Sequence, residues 1–155
     1  MSTACVFCKI VAGELPCHKV WENDSHLAFL SIFPNTDGVT VVIPKIHIPS
    51  YVFDMSDADM TALVVATKTV ARGIDTALAD VGRCALVFEG FGVDHAHAKL
   101  FPMHGTANME QWKPIESGKT EFFETYPGYV SSHDAGRADD ARLAEIASTI
   151  RASFE

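Results

Sequence analysis

The sequence of 155 residues lacks several features that would assign it to a class at once. It has no apolar run of about 18 residues, which excludes a membrane-spanning helix. Its first residues do not have the basic and then apolar layout of a secretory signal, so a cytoplasmic protein is expected. Internal repeats, low-complexity tracts and linkers are also absent. Because 48% of the residues are hydrophobic, a single domain over residues 1–155 is expected.

Positive charge is scarce as well. Twelve Lys and Arg residues stand against 20 Asp and Glu residues, which gives a net charge of −8. Binding to polymeric nucleic acid depends on many cations that neutralise phosphates, so a partner of that kind is not expected. A small anionic ligand held in a local pocket is compatible with this charge.

The chain has only four cysteines, too few for a disulfide scaffold in a domain of this size. Their spacing is more informative, because Cys5 and Cys8 form a C-x-x-C motif. Such a motif can be a redox pair, half of a zinc site or two buried thiols. A structural zinc needs two more ligands, and His47 and His95 would complete a Cys2His2 set. We favour zinc on this basis.

Hydrophobic patterning predicts an α+β fold. Short β-branched or alternating segments bounded by turn residues indicate strands, and apolar residues three or four apart indicate a helix. Strands come first, then one long helix, then strands again, so the order predicts an antiparallel sheet of about five strands packed with that helix. The predicted strands are residues 18–22, 26–32, 39–43, 84–89 and 95–101.

The long helix is predicted to begin after Ser56, because Ser56 and Asp59 have the spacing of an N-terminal capping pair. An irregular aromatic segment over residues 106–132 predicts an ordered loop, and residues 139–151 predict a C-terminal helix. The face of the long helix that is predicted to be buried consists of Met60, Leu63, Val64, Thr67, Val70, Ile74 and Leu78.

The most informative segment contains His95, His97 and Lys99. In a strand these three side chains project from one face, while the small and apolar residues between them face the other side. Two imidazoles and an ammonium suit phosphate chemistry, because neutral imidazole is a nucleophile near pH 7 and a cation offsets phosphate charge. The same spacing suits metal binding, and a solvent-facing strand with incidental histidines is a further alternative. The spacing alone does not choose between them.

The other histidines carry less information. His104 lies just beyond the predicted strand and is a second candidate for the site. His18, His26 and His133 are expected to be surface or loop residues with local hydrogen bonds.

Four segments, in this order, resemble the histidine triad (HIT) family of nucleotide hydrolases and transferases: residues 5–16, 27–32, 41–47 and 95–99. The resemblance covers about residues 4–104, so residues 105–155 are expected to form a C-terminal extension. It implies an antiparallel sheet packed with one long helix, assembled as a homodimer.

The resemblance also implies a chemistry. His97, the middle histidine position, attacks the α-phosphorus of a nucleoside phosphoramidate or dinucleoside polyphosphate. A covalent nucleotidyl-imidazole forms, and water or another acceptor releases the nucleoside monophosphate. In members with the C-x-x-C motif a structural zinc is held by two cysteines and two histidines, which here are Cys5, Cys8, His47 and His95. This set leaves His97 free.

The hypothesis of such an enzyme assigns further roles. Lys99 and the backbone amides of residues 90–93 would stabilise charge on the α-phosphate, and His104 would be an auxiliary acid. The nucleotide would contact Phe29, Ser31, Glu89, Gly92 and Val93.

Three positions depart from the family pattern. Lys99 stands where the family has the third histidine, and Ser31 where it has an aspartate that contacts the ribose. Glu89 replaces an asparagine near the phosphates, where a carboxylate repels them unless it is protonated or turned aside. A nucleotide-binding or sensing module with little turnover is therefore the alternative hypothesis. A third hypothesis is a hydrolase whose catalytic metal is bound by His95 and His97.

Overall fold

The structure is a computed structural model that describes residues 5–111 together with residues 122, 124 and 125. Two helices, a short 3₁₀ turn at Val52–Asp54 and five strands make up the described part. The helices are α1 (Val6–Val11) and α2 (Asp57–Ala77). The strands are β1 (Lys19–Glu22), β2 (His26–Leu30), β3 (Thr40–Pro44), β4 (Val81–Val87) and β5 (Ala98–His104).

The five strands form one sheet in the order β1-β2-β3-β5-β4, and every neighbouring pair is antiparallel. This confirms the predicted α+β fold with an antiparallel sheet packed against one long helix. In the part of the chain that the structure describes, no helix combines the length and the apolar character needed to cross a membrane.

The chain divides into two units, Met1–Gln111 and Trp112–Glu155. The predicted C-terminal helix over residues 139–151, most of the aromatic loop over 106–132, and His133 lie outside the described residues. That the whole chain forms a single domain, with an extension over 105–155, stays a prediction.

Strand β3 lies in the middle of the sheet and is buried along its whole length. Its β-branched residues suit this position because they pack well on a pleated surface. Val42 packs into the core beneath α2, whereas Val41 and Ile43 pack on the opposite face with Phe29. Apolar side chains of α1, including Phe7, cover that second face. The six-residue helix α1 was not predicted, because fewer than two turns are too few for a periodic signal.

Helix α2 begins where its cap predicts. The Ser56 hydroxyl accepts a hydrogen bond from the Asp59 N–H at 3.1 Å and donates one to the Asp59 carboxylate at 2.6 Å. The predicted buried face is largely confirmed, but Val64 is 40% exposed because it lies about 100° around the helix from Leu63. The buried residues are Leu63, Ala66, Thr67, Val70 and Ile74.

The Ser56→Ala variant is expected to lower the free energy of unfolding by about 1 kcal/mol, because an N–H group in the first turn loses its acceptor. Urea denaturation followed by circular dichroism measures this difference. Thr61→Ala, which removes an exposed hydroxyl from the same helix, is the matched control and is not expected to destabilise. Equal stability of Ser56→Ala and the native chain would contradict the cap assignment.

The last two strands differ in their bounds from the prediction. Strand β4 ends at Val87 rather than at 89, and β5 begins at Ala98 rather than at 95. Residues just before β5 make other bonds: the Ala96 N–H donates to the Ile48 carbonyl at 2.7 Å, and the His95 N–H donates to the Val93 carbonyl at 2.9 Å. The segment before β5 therefore follows an irregular path, which sets the orientation of both histidines.

Candidate metal and phosphate site

Four potential metal ligands, Cys5, Cys8, His47 and His95, come together with all their ligand atoms within 4.8 Å of one another. The Sγ to Nδ1 distances are 3.4 Å for Cys5–His95, 3.5 Å for Cys8–His47 and 3.6 Å for Cys8–His95. A tetrahedral zinc with bonds of about 2.3 Å to sulfur and about 2.0 Å to nitrogen places those atoms about 3.5 Å apart. Both the donor set and its spacing therefore fit zinc.

Local structure explains how these ligands meet. Cys5 is the N-cap of α1, and the Cys8 N–H donates to its Sγ at 3.5 Å. His47 follows β3, and His95 precedes β5, the neighbour of β3 in the sheet. The Nε2–H of His95 donates to the Pro44 carbonyl at 2.8 Å, so the lone pair on Nδ1 faces the two thiols. This outer hydrogen bond selects the tautomer that binds a metal through Nδ1.

Burial affects the charge of these ligands. It lowers the pKa of the fully buried His95, which keeps the imidazole neutral, the form that binds a metal. Burial also raises the pKa of the Cys8 thiol, and the adjacent Cys5 thiol adds to that shift. Metal binding at this group therefore has to release thiol protons, so we expect its affinity to fall at low pH.

His97 lies beside the metal group but outside it. Its Nδ1–H donates to the His95 carbonyl at 2.7 Å, and its ring makes a T-shaped contact with Phe7, with the centroids 5.6 Å apart. Within residues 5–111, Nε2 has no hydrogen-bond partner. Since every buried side-chain nitrogen or oxygen there is paired, the unpaired Nε2 is accessible rather than buried. Nε2 therefore keeps its lone pair and is the ring nitrogen that opens on the adjoining cavity.

The cavity beside His97 has a volume of about 510 Å³ and a mainly apolar wall. Of the residues predicted to contact a nucleotide, four line it, whereas Glu89 does not. Lys99 lines it as well. The lining residues are Val6, Phe7, Ile10, Leu15, Pro16, Cys17, Phe29, Leu30, Ser31, Ile32, Phe33, Val41, Phe91, Gly92, Val93, His97 and Lys99.

The Lys99 ammonium forms an ion pair with the Glu89 carboxylate. Both side chains are largely shielded, with 29% of Lys99 and 17% of Glu89 exposed. Burial lowers the pKa of Lys99 below that of a free lysine. The Glu89 carboxylate is therefore turned aside to a cation, which is one of the two arrangements that would avoid repulsion of a phosphate.

The glycine-containing loop between β4 and β5 is anchored by Ser50, which the sequence analysis did not identify. The Ser50 hydroxyl donates to the Gly90 carbonyl at 2.9 Å, and its N–H donates to the Asp94 carboxylate at 3.0 Å. Gly90 and Gly92 have φ values of +66° and +84°, which favour glycine. These contacts fix the two ends of the loop, whose residues 92 and 93 line the cavity.

The structure does not bring His104 to His97. The two residues are seven positions apart, and His104 is the last residue of β5, so about 20 Å of chain separates them. The Nε2 atom of His104 lies 3.0 Å from the Asp37 carbonyl, and its Nδ1 lies 2.9 Å from the Asp80 carboxylate. The role of auxiliary acid therefore has no support in this arrangement.

We expect the pKa of His104 to lie above the ordinary value of about 6.5. The Asp37 carbonyl and then the Asp80 carboxylate raise this pKa, because both favour the protonated ring. The protonated His104 ring therefore stabilises the folded state fully below the pKa that His104 has in the unfolded chain. This stabilisation is lost as the pH rises through the pKa that His104 has in the folded protein. An NMR titration should show a lower pKa in Asp80→Asn and no change in the control Asp24→Asn. A native pKa at or below the ordinary value would contradict this assignment.

His26 does not lie on the surface as predicted. It is 4% exposed and hydrogen-bonds through Nδ1 to the Ser25 hydroxyl at 2.9 Å, so the local bond is present but the exposure was wrong. It begins β2 and pairs with Pro44 of the central strand, which places its ring in the interior. His18, by contrast, is exposed.

Comparisons with known proteins show which family the chain belongs to. Residues 12–106 match the HIT domain. An adenosine 5'-monophosphoramidase of Schizosaccharomyces pombe is 37% identical over 103 residues, covering 64% of this chain and 74% of the relative. A crystal structure from Streptococcus mutans has a TM-score of 0.68 at 29% identity and covers 100% of this chain and 88% of the other.

A zinc-bound histidine triad family protein from Mycobacterium smegmatis is also similar, with a TM-score of 0.63 and 26% identity over 70% of this chain and 81% of the other. The HIT domain match spans more than half of the sequence and includes the central strands, α2 and the His95–Lys99 segment. This chain therefore belongs to the HIT, or histidine triad, family.

Proposed function

We propose that the protein is a nucleotidyl hydrolase or transferase that cleaves a nucleoside phosphoramidate or dinucleoside polyphosphate at the α-phosphorus. The observation that carries the proposal is the orientation of His97, whose Nδ1–H is bound by the His95 carbonyl while Nε2 opens on a cavity of about 510 Å³. A relative named adenosine 5'-monophosphoramidase supports the phosphoramidate class.

The reaction has two displacements at phosphorus. Nε2 of His97 attacks the α-phosphorus, the bond from phosphorus to the leaving nitrogen or oxygen breaks, and the leaving group keeps the electron pair and takes up a proton. Water then attacks the same phosphorus and loses a proton, the P–Nε2 bond breaks, and the nucleoside monophosphate is released. The His95 carbonyl stabilises the ring while it is cationic, because it accepts the Nδ1–H throughout.

Two groups offset the phosphate charge in this proposal. Lys99 lines the cavity together with His97, and Gly92 and Val93, which would donate through their backbone amides, line it as well. Donors fixed before the reaction stabilise developing negative charge without having to reorganise. The apolar remainder of the wall suits the nucleoside.

We assign a structural zinc to Cys5, Cys8, His47 and His95. Four protein ligands complete a tetrahedral set, so a bound zinc supplies a cross-link between α1, the end of β3 and the segment before β5 rather than an open coordination position. The His95 backbone, whose carbonyl orients His97, is thereby held in place.

Rapid quenching tests the proposal. The native protein is mixed with adenosine 5'-phosphoramidate, denatured at neutral or alkaline pH during turnover, and analysed by intact mass and peptide fragmentation. We expect a nucleoside monophosphoryl adduct on His97 and release of the monophosphate. Release of monophosphate with no adduct at any quench time would contradict the covalent route.

The second candidate is a nucleotide-binding module with little or no turnover. It is favoured by the Glu89–Lys99 pair, which offsets the cation at the site, and by Ser31 in place of an acidic ligand for the ribose. Measurable affinity by calorimetry with no monophosphate released over hours would select it. The third hypothesis, a catalytic metal on both His95 and His97, has little support because His97 is not part of the metal group among the described residues.

The assembly and location are also proposed. We propose a homodimer that acts on a small nucleotide, as the family resemblance implies. The sequence itself predicts a cytoplasmic location and argues against polymeric nucleic acid or a membrane as partner. Light scattering during gel filtration would test the dimer, and a monomer across the micromolar range would contradict it.

A further inference from the structure

Lys99 is the only lysine or arginine that lines the cavity within the described residues. It pairs with Val41 of β3 on one side and with Val87 of β4 on the other, so two strands hold its backbone. Its ammonium donates to the Glu89 carboxylate. A phosphate that enters the cavity therefore meets a cation that already has an anionic partner.

This ion pair is more shielded than the one between Lys19 and Glu22. The side chains of Lys19 and Glu22 are 53% and 42% exposed, whereas those of Lys99 and Glu89 are 29% and 17% exposed. Because water screens shielded charges less, the attraction between Lys99 and Glu89 is stronger than that of an exposed pair. A ligand phosphate has to compete with Glu89, not only with water, for the ammonium.

The charge of the ligand changes during the proposed reaction. The α-phosphate of a phosphoramidate or diphosphate linkage carries one negative charge, whereas a free monophosphate carries about 1.5 to 2 near pH 7. An uncompensated cation would therefore hold the product more tightly than the reacting phosphate. A cation that is paired with a carboxylate has a smaller preference for the product over the reacting phosphate than an unpaired cation has.

We propose that Glu89 is a positioning residue that weakens the binding of the nucleoside monophosphate product by competing with its phosphate for Lys99. This inference rests on the proposed function, since that function makes the monophosphate the product. Glu89 acts through Lys99 and does not line the cavity itself.

Calorimetry with adenosine 5'-monophosphate tests the inference without turnover. Glu89→Gln is expected to bind the monophosphate about tenfold more tightly than the native protein, because Lys99 becomes free to pair with the phosphate. Glu22→Gln is the matched control, since it removes one carboxylate that contacts Lys19 and Lys45, none of which lines this cavity. Its affinity should stay within about twofold of native.

The double variant Glu89→Gln/Lys99→Gln keeps the test decisive, because it leaves no unpaired shielded charge that could prevent folding. The two glutamines of this variant and the native ion pair both have no net charge. The affinity of the double variant for the monophosphate should therefore lie within about threefold of the native value. An unchanged or weaker affinity in a folded Glu89→Gln, or tight binding that persists in the double variant, would overturn the inference. The inference would also be overturned if the double variant bound the monophosphate more than about tenfold more weakly than the native protein. That result would mean that Glu89 does not offset the charge of Lys99 in the native protein.

The inference and the proposed function fail in different experiments. If the native protein forms no adduct but Glu89→Gln tightens monophosphate binding, the catalytic proposal fails and the role of Glu89 stands. If the adduct forms and the affinity of Glu89→Gln is unchanged, only the role of Glu89 is overturned.

Discussion

Replacing His97 with asparagine is expected to abolish the covalent adduct and to lower turnover by at least about 10³-fold, because His97 supplies the attacking lone pair in the proposed reaction. The ring is oriented by one bond from Nδ1–H to the His95 carbonyl, and its other nitrogen meets the cavity. Asparagine retains a polar group at the site but has no comparable nucleophile. Monophosphate release under saturating phosphoramidate, together with intact-mass analysis of the quenched protein, measures both losses.

The matched control is His18→Asn, which changes an exposed histidine in the same way. We expect it to keep native turnover and the native adduct. Circular dichroism must show that His97→Asn retains the fold, since the ring is only 3% exposed and contacts Phe7. A folded His97→Asn protein with turnover within tenfold of native would rule out His97 as the nucleophile.

Removal of the metal is expected to unfold the described domain. Structural zinc contributes about 10–16 kcal/mol in small zinc-binding peptides, which matches or exceeds the usual stability of about 5–15 kcal/mol for a whole domain. Here the four ligands come from three separate segments. Removal of the metal therefore detaches α1 from the end of β3 and the start of β5. Metal analysis followed by thermal unfolding with and without a chelator measures the effect.

Cys8→Ser is the corresponding variant, because serine does not replace a thiolate ligand. Cys84→Ser is its control: Cys84 lies outside the metal group, and burial with the nearby Asp75 carboxylate raises its thiol pKa to about 11. We expect Cys8→Ser to lose bound zinc and unfold at a much lower temperature, and Cys84→Ser to keep its zinc. A folded, metal-free protein that regains activity when metal is added would instead indicate a catalytic metal.

Features with a local origin could be predicted from the sequence. The Ser56 cap depends on residues three positions apart, and most of the buried face of α2 follows from helical spacing. The alternation across β5 was also predicted correctly, since Leu100 faces the core beneath α2 while Lys99 faces the cavity. The strand limits were less accurate, because bonds to Ile48 and Val93 replace sheet pairing before Ala98.

The four residues of the metal group were predicted because a C-x-x-C motif needs two further ligands to bind zinc, which His47 and His95 would supply, and the family resemblance named the same four residues. What spacing could not supply was the arrangement of the histidines. The Pro44 carbonyl turns Nδ1 of His95 to the thiols, and the His95 carbonyl occupies Nδ1 of His97. Both bonds follow from the irregular backbone before β5, for which residue types give no signal.

By itself, the sequence determined the sheet, the long helix and the chemical character of the site, since these depend on residue types and on repeats within a single segment. Tertiary structure alone decided that Glu89 pairs with Lys99, that Phe7 packs on His97, and that His104 lies at the far end of β5. It also buried His26 beside the central strand. Each of these depends on where a side chain lies once distant segments have packed, and no periodic pattern within one segment records that position.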